Sequence, residues 1–351
     1  MERFMSSLMA QNTLNHGIPE SGPAIAPRAE FCGGLDSALA GGLNGAADSG
    51  RAEGANGSWH PSRLRAVILL GGTVRYSGFG ASIKRSLLDL PIGGDATLLS
   101  YWAWEVSQLC WRLGLKTIPV RVVIGRNCFA PQGTPTAPGV QLSVERDPVE
   151  FRGTGGVLRD LSLDYNDDDL LLVANANHLG TEPLALLVEH LLAGTGDVRM
   201  LAAANQEPSG LMMMRCECLR QIATAGYVDL KEQALPAIAD RYSVRVFTAK
   251  EAAGNSIRRW NDYLVALRRR HQPPGETGAW AFQEDWQPRF SVIEPGASID
   301  PSAGIHDSVV LSGGRVDAKA TIVRSLIGPG GVVQRGQVVV GRLLTGDGEV
   351  E

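Results

Sequence analysis

The chain has 351 residues, of which 44% are hydrophobic and 20% charged, enough for roughly two domains. Its 33 Lys+Arg against 37 Asp+Glu leave a net charge of −4. That argues against a general nucleic-acid binder, which needs a basic face to displace counterions. No apolar run approaches the ~20 residues that cross a bilayer, and Met1 to Ala10 lacks the basic start and apolar stretch of a secretory signal. The expectation is a cytoplasmic protein with neither nucleic acid nor membrane as partner.

Residues 1–61 carry many glycines among Ala, Ser, Asn and Asp, with little apolar periodicity to offset the entropy of ordering them. They predict a disordered tail, within which Leu35 to Leu43 is the one patch suited to a transient helix or a partner. From 62 to 272 strand and helix patterns alternate. Ala66 to Leu70 is a short unbroken apolar run ending in Gly71-Gly72, as expected of a strand buried on both faces. Thr97 to Leu113 has helical spacing, Val120 to Ile124 returns to strand, and Gly155 to Leu163 to helix. Leu170 to Val173 is a second buried strand, and Pro183 in the first turn opens the helix after it. Strands over Val198 to Ala203 and Ser243 to Phe247 precede a last helix, Ser256 to Arg270. This alternation implies an α/β domain with a mostly parallel sheet, whose ligands bind beyond the carboxyl ends of the strands.

The five cysteines include no Cys-x-x-Cys pair and fit buried thiols in a reduced compartment better than a metal site. In a strand, Cys216 and Cys218 would share one face. A linker over 273–290 holds Pro273-Pro274-Gly275. Then, from 291 to 341, apolar residues recur six apart: Ile293, Ile299, Ile305; Val316, Ile322; Ile327, Val333, Val339. A six-residue period fits neither a helix nor an ordinary strand but a hexapeptide-repeat parallel β-helix, with these residues pointing inward. Two five-residue steps, Ile305 to Val310 and Ile322 to Ile327, weaken the register, and the length allows fewer than three coils of ~18 residues. Residues 342–351 read as a C-terminal tail. His306 within the repeat invites comparison with acyltransferases of similar period, but the coil is short for that chemistry.

Several stretches, taken in order, resemble the sugar nucleotidyltransferase family, which makes nucleotide sugars from a nucleoside triphosphate and a sugar 1-phosphate. They are Val67 to Gly72; Glu150-Phe151-Arg152-Gly153-Thr154-Gly155-Gly156-Val157-Leu158; Leu172 to Leu179; Pro208-Ser209-Gly210; Asp229 to Pro236; Pro295-Gly296-Ala297; and Ser325 to Gly330. The resemblance, over about Arg65 to Gly341, implies a Rossmann-like nucleotidyltransferase domain followed by a short left-handed parallel β-helix. It places Leu70, Gly71, Gly72, Gly153, Thr154, Gly155, Gly156 and Asn177 against the nucleotide, where glycine backbone approaches a phosphate or base closely. Glu207, Ser209, Gly210 and Lys231 fall on the sugar side. Arg75 and Lys84 are the candidates to neutralise triphosphate charge during catalysis, Arg as a bidentate fork and Lys as a point charge.

The resemblance also implies two aspartates holding Mg²⁺, and at those positions the chain has Asn177 and Ser256. Magnesium prefers charged, hard oxygen ligands, so a weakly held ion is expected. The run Asp167-Asp168-Asp169 precedes its strand and lies at the wrong sheet edge to replace them, and His178 reads as a structural hydrogen-bonder before a ligand. Two functions stay open: a divergent sugar-1-phosphate nucleotidyltransferase releasing pyrophosphate, or a regulatory homologue that binds a nucleotide or nucleotide sugar. Self-association through the β-helix is compatible with both.

Overall fold

The computed structural model describes residues 59–72, 78–147, 152–203, 208–249, 255–271 and 288–350. The tail and its patch at 35–43, nearly all of the linker at 273–290, and the candidates Arg75 and Glu207 lie outside the described residues. Trp59 and His60, within the span expected as tail, are among the described residues. Trp59 donates its backbone N–H to Leu192 at 2.9 Å, and its ring lies 3.5 Å from the guanidinium carbon of the buried Arg199.

A seven-stranded sheet is built from β1 (Leu64–Leu70), β4 (Ile118–Ile124), β5 (Val140–Arg146), β6 (Leu170–Asn175), β8 (Val198–Ala203), β9 (Pro208–Arg215) and β10 (Val244–Ala249), in the order β10-β8-β9-β6-β1-β4-β5. All neighbours are parallel except β9, which runs antiparallel to both β6 and β8. Between β1 and β4 come α1 (Gly78–Ser82), a hairpin of β2 (Pro91–Gly93) and β3 (Ala96–Thr97), and α2 (Leu98–Leu113). Thr97 and Ser100 cap α2 reciprocally, and Gly114 in the left-handed region ends it.

The other helices are α3 (Gly153–Ser162), α4 (Leu184–Ala193), α5 (Cys216–Arg220), α6 (Leu235–Ala239) and α7 (Trp260–Arg270). The sheet is covered on both faces, which is why β1 and β6 read as unbroken apolar runs. Val67, Leu69 and Leu172 join a core with residues of α2, α4 and α7, while Ala66, Ile68 and Leu171 join a second with residues of α3, α5 and α6. Cys216 and Cys218 are both buried, as expected of structural thiols, but in α5 and not in a strand. Pro183 precedes α4 as its N-cap residue and is not in its first turn. Among the described residues no helix is long and apolar enough to cross a membrane.

From 291 onward the chain visits three short sheets in turn. The strands are β12 (Ser291–Ile293), β13 (Ser298–Ile299), β14 (Gly304–His306), β15 (Ser308–Val310), β16 (Arg315–Val316), β17 (Thr321–Val323), β18 (Leu326–Ile327), β19 (Val332–Val333) and β20 (Val338–Val340). Each strand pairs in parallel with the one a circuit later, for example Ile293 with Val310, Ile299 with Val316 and Ile305 with Ile322. Three circuits are completed where coils of ~18 residues fell just short of three, because each takes 17 residues. The five-residue steps are therefore not register faults but one corner of every circuit. At that corner Asp307, Arg324 and Gly341 turn with φ of 46°, 47° and 64°.

The strands continue past Gly341 as β21 (Leu343–Thr345) and an antiparallel β22 (Gly348–Val350). The expected tail is thus partly sheet. Val316, Ile322, Val333 and Val339 are buried inside, and Ile299 and Ile305 are partly buried against them. Ile293 is 49% exposed. It is in register with Val310 of the next circuit, and among the described residues no strand pairs with its other side. One outer face packs on the α/β domain, where Val292, Val309, Leu326 and Leu343 join the same core as α2 and α7.

Candidate functional site

A cleft of about 1210 Å³ opens at the carboxyl ends of β1 and β6, bounded by α1, the start of α7 and Leu343 of β21. Its floor follows from the register. Leu70 pairs with Asn175, and the N–H of Ala176 extends the ladder to the Leu70 carbonyl at 3.0 Å. Leu70, Gly72, Asn175 and Asn177 thereby reach one surface. Burial of Ala176 makes Asn175 and Asn177 alternate toward the opening, and the Asn175 side chain accepts the Asn177 N–H at 3.1 Å.

The glycines divide into two kinds. Gly72 lines the cleft with φ +94°. Gly71 does not: its N–H is bonded to the Val123 carbonyl at 2.8 Å, and a Cβ there would stand 3.2 Å from the Ile124 side chain. Its role is close passage over β4, a correction to the phosphate-facing reading. The same holds at α3. A Cβ on Gly153, at φ +71°, would stand 2.3 Å from the Val228 carbonyl oxygen, and one on Gly155 2.9 Å from it. The Gly155 N–H is already given to that oxygen at 2.9 Å, and Gly156 packs on the Arg152 stem. These glycines let the helix seat on the segment before residue 230. Only Thr154 among 153–156 lines the cleft, and its hydroxyl accepts the Leu230 N–H at 3.1 Å.

The two positions where carboxylates were expected lie on neighbouring strands, one step out of register. β7 (His178–Leu179) pairs antiparallel with β11 (Asn255–Ser256), setting Ser256 opposite His178, and the Ile257 N–H bonds the Asn177 carbonyl at 2.8 Å. Asn177 lines the cleft, whereas Ser256 does not, and its hydroxyl is buried without a hydrogen-bond partner among the described residues. A neutral amide and a neutral hydroxyl do not fit a hard dication. Asp229 does not repair the set, because its carboxylate accepts the N–H groups of Lys231 and Glu232 at 2.8 and 2.9 Å and so caps the turn Leu230–Ala234. Among the described residues no group of three His, Cys, Asp or Glu side chains is arranged to hold a metal. The run Asp167 to Asp169 lies at the opposite edge as expected, bonded to Arg220, Arg215 and Arg65.

The cleft also presents three cations, Lys231, Arg258 and Arg259, against the carboxylates of Asp229 and Glu232. Lys231 lines it, and burial, then the neighbouring Arg258, push its ammonium below the usual lysine pKa despite Asp229. Arg258, which the sequence reading missed, stands in the loop between β11 and α7. That loop is held by the Asp262 carboxylate, which accepts the N–H groups of Arg258 and Arg259 at 3.0 and 2.8 Å. Burial first, then Lys231 and Arg258, hold the His178 ring down at a pKa of about 4, with a backbone hydrogen bond at Ser209 pulling weakly the other way. The ring is therefore neutral at pH 7.

Gly210 of β9 also lines the cleft, whereas Ser209 is structural, its hydroxyl donating to the Leu201 carbonyl at 2.8 Å. Lys84 is not brought into the cleft. It pairs with Asp347 at 2.9 Å and is mostly exposed. His306 lies exposed on β14.

No protein-family model and no curated protein matches the chain. Among solved structures it is similar to a Mycobacterium tuberculosis rv0371c homolog from mycobacterium sp. strain JC1, with 16% identity and a TM-score of 0.39 over 59% of this chain and 96% of that one. It is likewise similar to HddC from Yersinia pseudotuberculosis, with 14% identity and a TM-score of 0.40 over 58% and 98%. Neither likeness reaches a TM-score of 0.5, so the functional reading rests on the cleft itself.

Proposed function

We propose that the protein binds a nucleotide or nucleotide sugar in this cleft without a divalent metal, as a regulatory homologue of the sugar nucleotidyltransferases. The observation that carries the reading is the neutral Asn177 lining the cleft, with the neutral Ser256 on the neighbouring strand, beside the cations Lys231 and Arg258. Phosphate needs its charge offset, and here Lys231, Arg258 and Arg259 outnumber the lining carboxylates Asp229 and Glu232. In the same reading the α/β domain is of the Rossmann-like nucleotidyltransferase kind, and the 17-residue circuits are a left-handed β-helix of hexapeptide repeats shortened by one residue per turn.

The second reading, a divergent sugar-1-phosphate nucleotidyltransferase, draws on the size of the cleft. At about 1210 Å³ it exceeds the ~300–1,000 Å³ of ordinary small-ligand pockets and has room for a nucleotide and a sugar phosphate together. In that reaction the sugar phosphate oxygen attacks the α-phosphorus, and the bond to the departing pyrophosphate breaks.

Equilibrium binding of a panel of nucleoside diphosphates, triphosphates and nucleotide sugars, with Mg²⁺ and with EDTA, tests the proposal. Pyrophosphate release from triphosphates and sugar 1-phosphates is followed in parallel. Binding that survives EDTA without pyrophosphate release supports the regulatory reading. Metal-dependent release of pyrophosphate overturns it in favour of the transferase.

A further inference from the structure

Helix α2 presents two tryptophans to solvent. Trp104 is 58% and Trp111 79% exposed, and a spacing of seven residues sets both on one stripe of the helix. The faces on either side of the stripe are occupied. Glu105 accepts the Leu184 N–H of α4 at 2.8 Å, and Arg112 pairs with Glu189 of α4 at 2.6 Å. On the other side Ser107 donates to the Pro138 carbonyl at 2.8 Å, just before β5. Large aromatic surface gathered on one exposed face marks a place of contact. No residue of α2 lines the cleft, so the stripe serves a different contact.

The amino end of the chain is delivered to this helix. Residues 1–58 lie outside the described residues, and the described chain starts at Trp59. Its N–H is bonded to Leu192 near the end of α4, and its ring packs against the same core as Leu113 and Leu115. Because Glu105 meets Leu184 and Arg112 meets Glu189, α2 and α4 run side by side in one direction. The chain therefore enters beside the end of α2 that carries Trp111. Within the preceding residues, Leu35, Leu39 and Leu43 recur four apart and share a helical face with Ala38 and Gly42. At 1.5 Å per residue the three leucines of a helix span ~12 Å, and the two tryptophans span ~10.5 Å. Ala38 and Gly42 between the leucines leave notches for large indoles. Residues 44–58, rich in Gly, Ala, Ser and Asn, reach ~20 Å on average. That exceeds the ~8–10 Å between packed helices, and a tether of this kind holds its end at an effective concentration of order mM.

We propose that segment 35–43 docks as an amphipathic helix on the Trp104–Trp111 stripe of its own chain. The shortest path sets Leu43 against Trp111 and Leu35 against Trp104. The docked segment covers the two indoles and leaves the cleft open.

The test uses the full chain carrying Ala40→p-benzoylphenylalanine, a photo-crosslinker beside the leucines, irradiated at low protein concentration and mapped by mass spectrometry. The expected product is a crosslink within one chain, to residues 100–116. Adding Leu39→Asp should weaken docking by ~10-fold or more, since one leucine is no longer buried, and the crosslink yield should fall with it. In the chain that keeps Ala40, Leu39→Asp should raise the quenching of tryptophan fluorescence by acrylamide. It should not do so once Trp104→Gln and Trp111→Gln are both present.

A crosslink to another part of the chain, or none, overturns the proposal. A crosslink between two copies also overturns it, and assigns the stripe to a dimer. Quenching that Leu39→Asp leaves unchanged counts against it in the same way. The crosslink from the chain altered only at Ala40 decides the matter even where another variant fails to fold.

Discussion

Arg85 and Glu294 meet in a bidentate ion pair, with nitrogen–oxygen distances of 2.7 and 2.8 Å, at the seam between the α/β domain and the coil. Both side chains are largely buried, and Glu294 also accepts the Ser312 N–H at 2.8 Å from the next circuit. Burial alone would raise the Glu294 pKa, but the Arg85 hydrogen bonds and the Ser312 N–H outweigh it and hold the carboxyl below its usual range. Glu294→Gln should destabilise the protein by about 2–4 kcal/mol, because it leaves the Arg85 charge buried beside a neutral amide. The pair's contribution is present above the unfolded carboxylate pKa of ~4.3 and is lost as pH falls through the lower folded value. Urea unfolding of parent and variant at pH 7 and at pH 3 measures both effects. Equal stability at pH 7 would show that the pair does not hold the seam.

His178 gives a pH dependence in a different window. Its ring is neutral when folded, with the pKa lowered to about 4 from an ordinary 6.5. As pH falls below ~6.5 the unfolded chain takes up a proton that the folded chain refuses, so stability is full above that pH and declines toward pH 4. The loss is at most about 3 kcal/mol. His178→Gln should flatten this part of the curve, and the difference between parent and variant at pH 7 and pH 4.5 is the quantity to measure.

The two kinds of glycine separate by mutation. Gly153→Ala places a methyl against the Val228 carbonyl at a left-handed backbone position, and it should cost about 3 kcal/mol or more. Gly94→Ala is also left-handed, at φ +55°, but meets nothing within 4 Å and should cost only about 1 kcal/mol. Thermal denaturation ranks the two. A mild effect at Gly153 would return that segment to a ligand-facing role.

Converting Asn177 and Ser256 together to aspartate should create metal dependence. The β7–β11 pairing already sets their neighbourhood, and two carboxylates attract Mg²⁺ through Coulomb energy that an amide and a hydroxyl lack. Nucleotide affinity in the double variant should rise with Mg²⁺ and fall in EDTA below that of the parent, since the new negative charge then faces phosphate unscreened. A parent that already gains strongly from Mg²⁺ would show that another carboxylate serves the metal.

The apolar runs of β1 and β6 were legible in the sequence because a strand covered on both faces must be apolar at every position. The six-residue spacing of Ile293, Ile299 and Ile305 was legible because each circuit repeats one environment. So was the neutrality of Asn177 and Ser256, a matter of residue identity alone. Tertiary structure decided the rest. A glycine reads the same whether a ligand or a neighbouring carbonyl approaches it, and only the position of Val228 assigned Gly153 and Gly155 to packing. Lys84 was an expected phosphate ligand until the chain returned Asp347 to its side, 263 residues later. The strand β9, with Met212 to Met214 buried between β6 and β8, carries no alternation to mark it. Arg258 reached the cleft because β11 pairs with β7 and Asp262 holds the loop between β11 and α7. Local pattern reports how much of a side chain is buried. Which group faces it is a long-range fact that the folded chain alone contains.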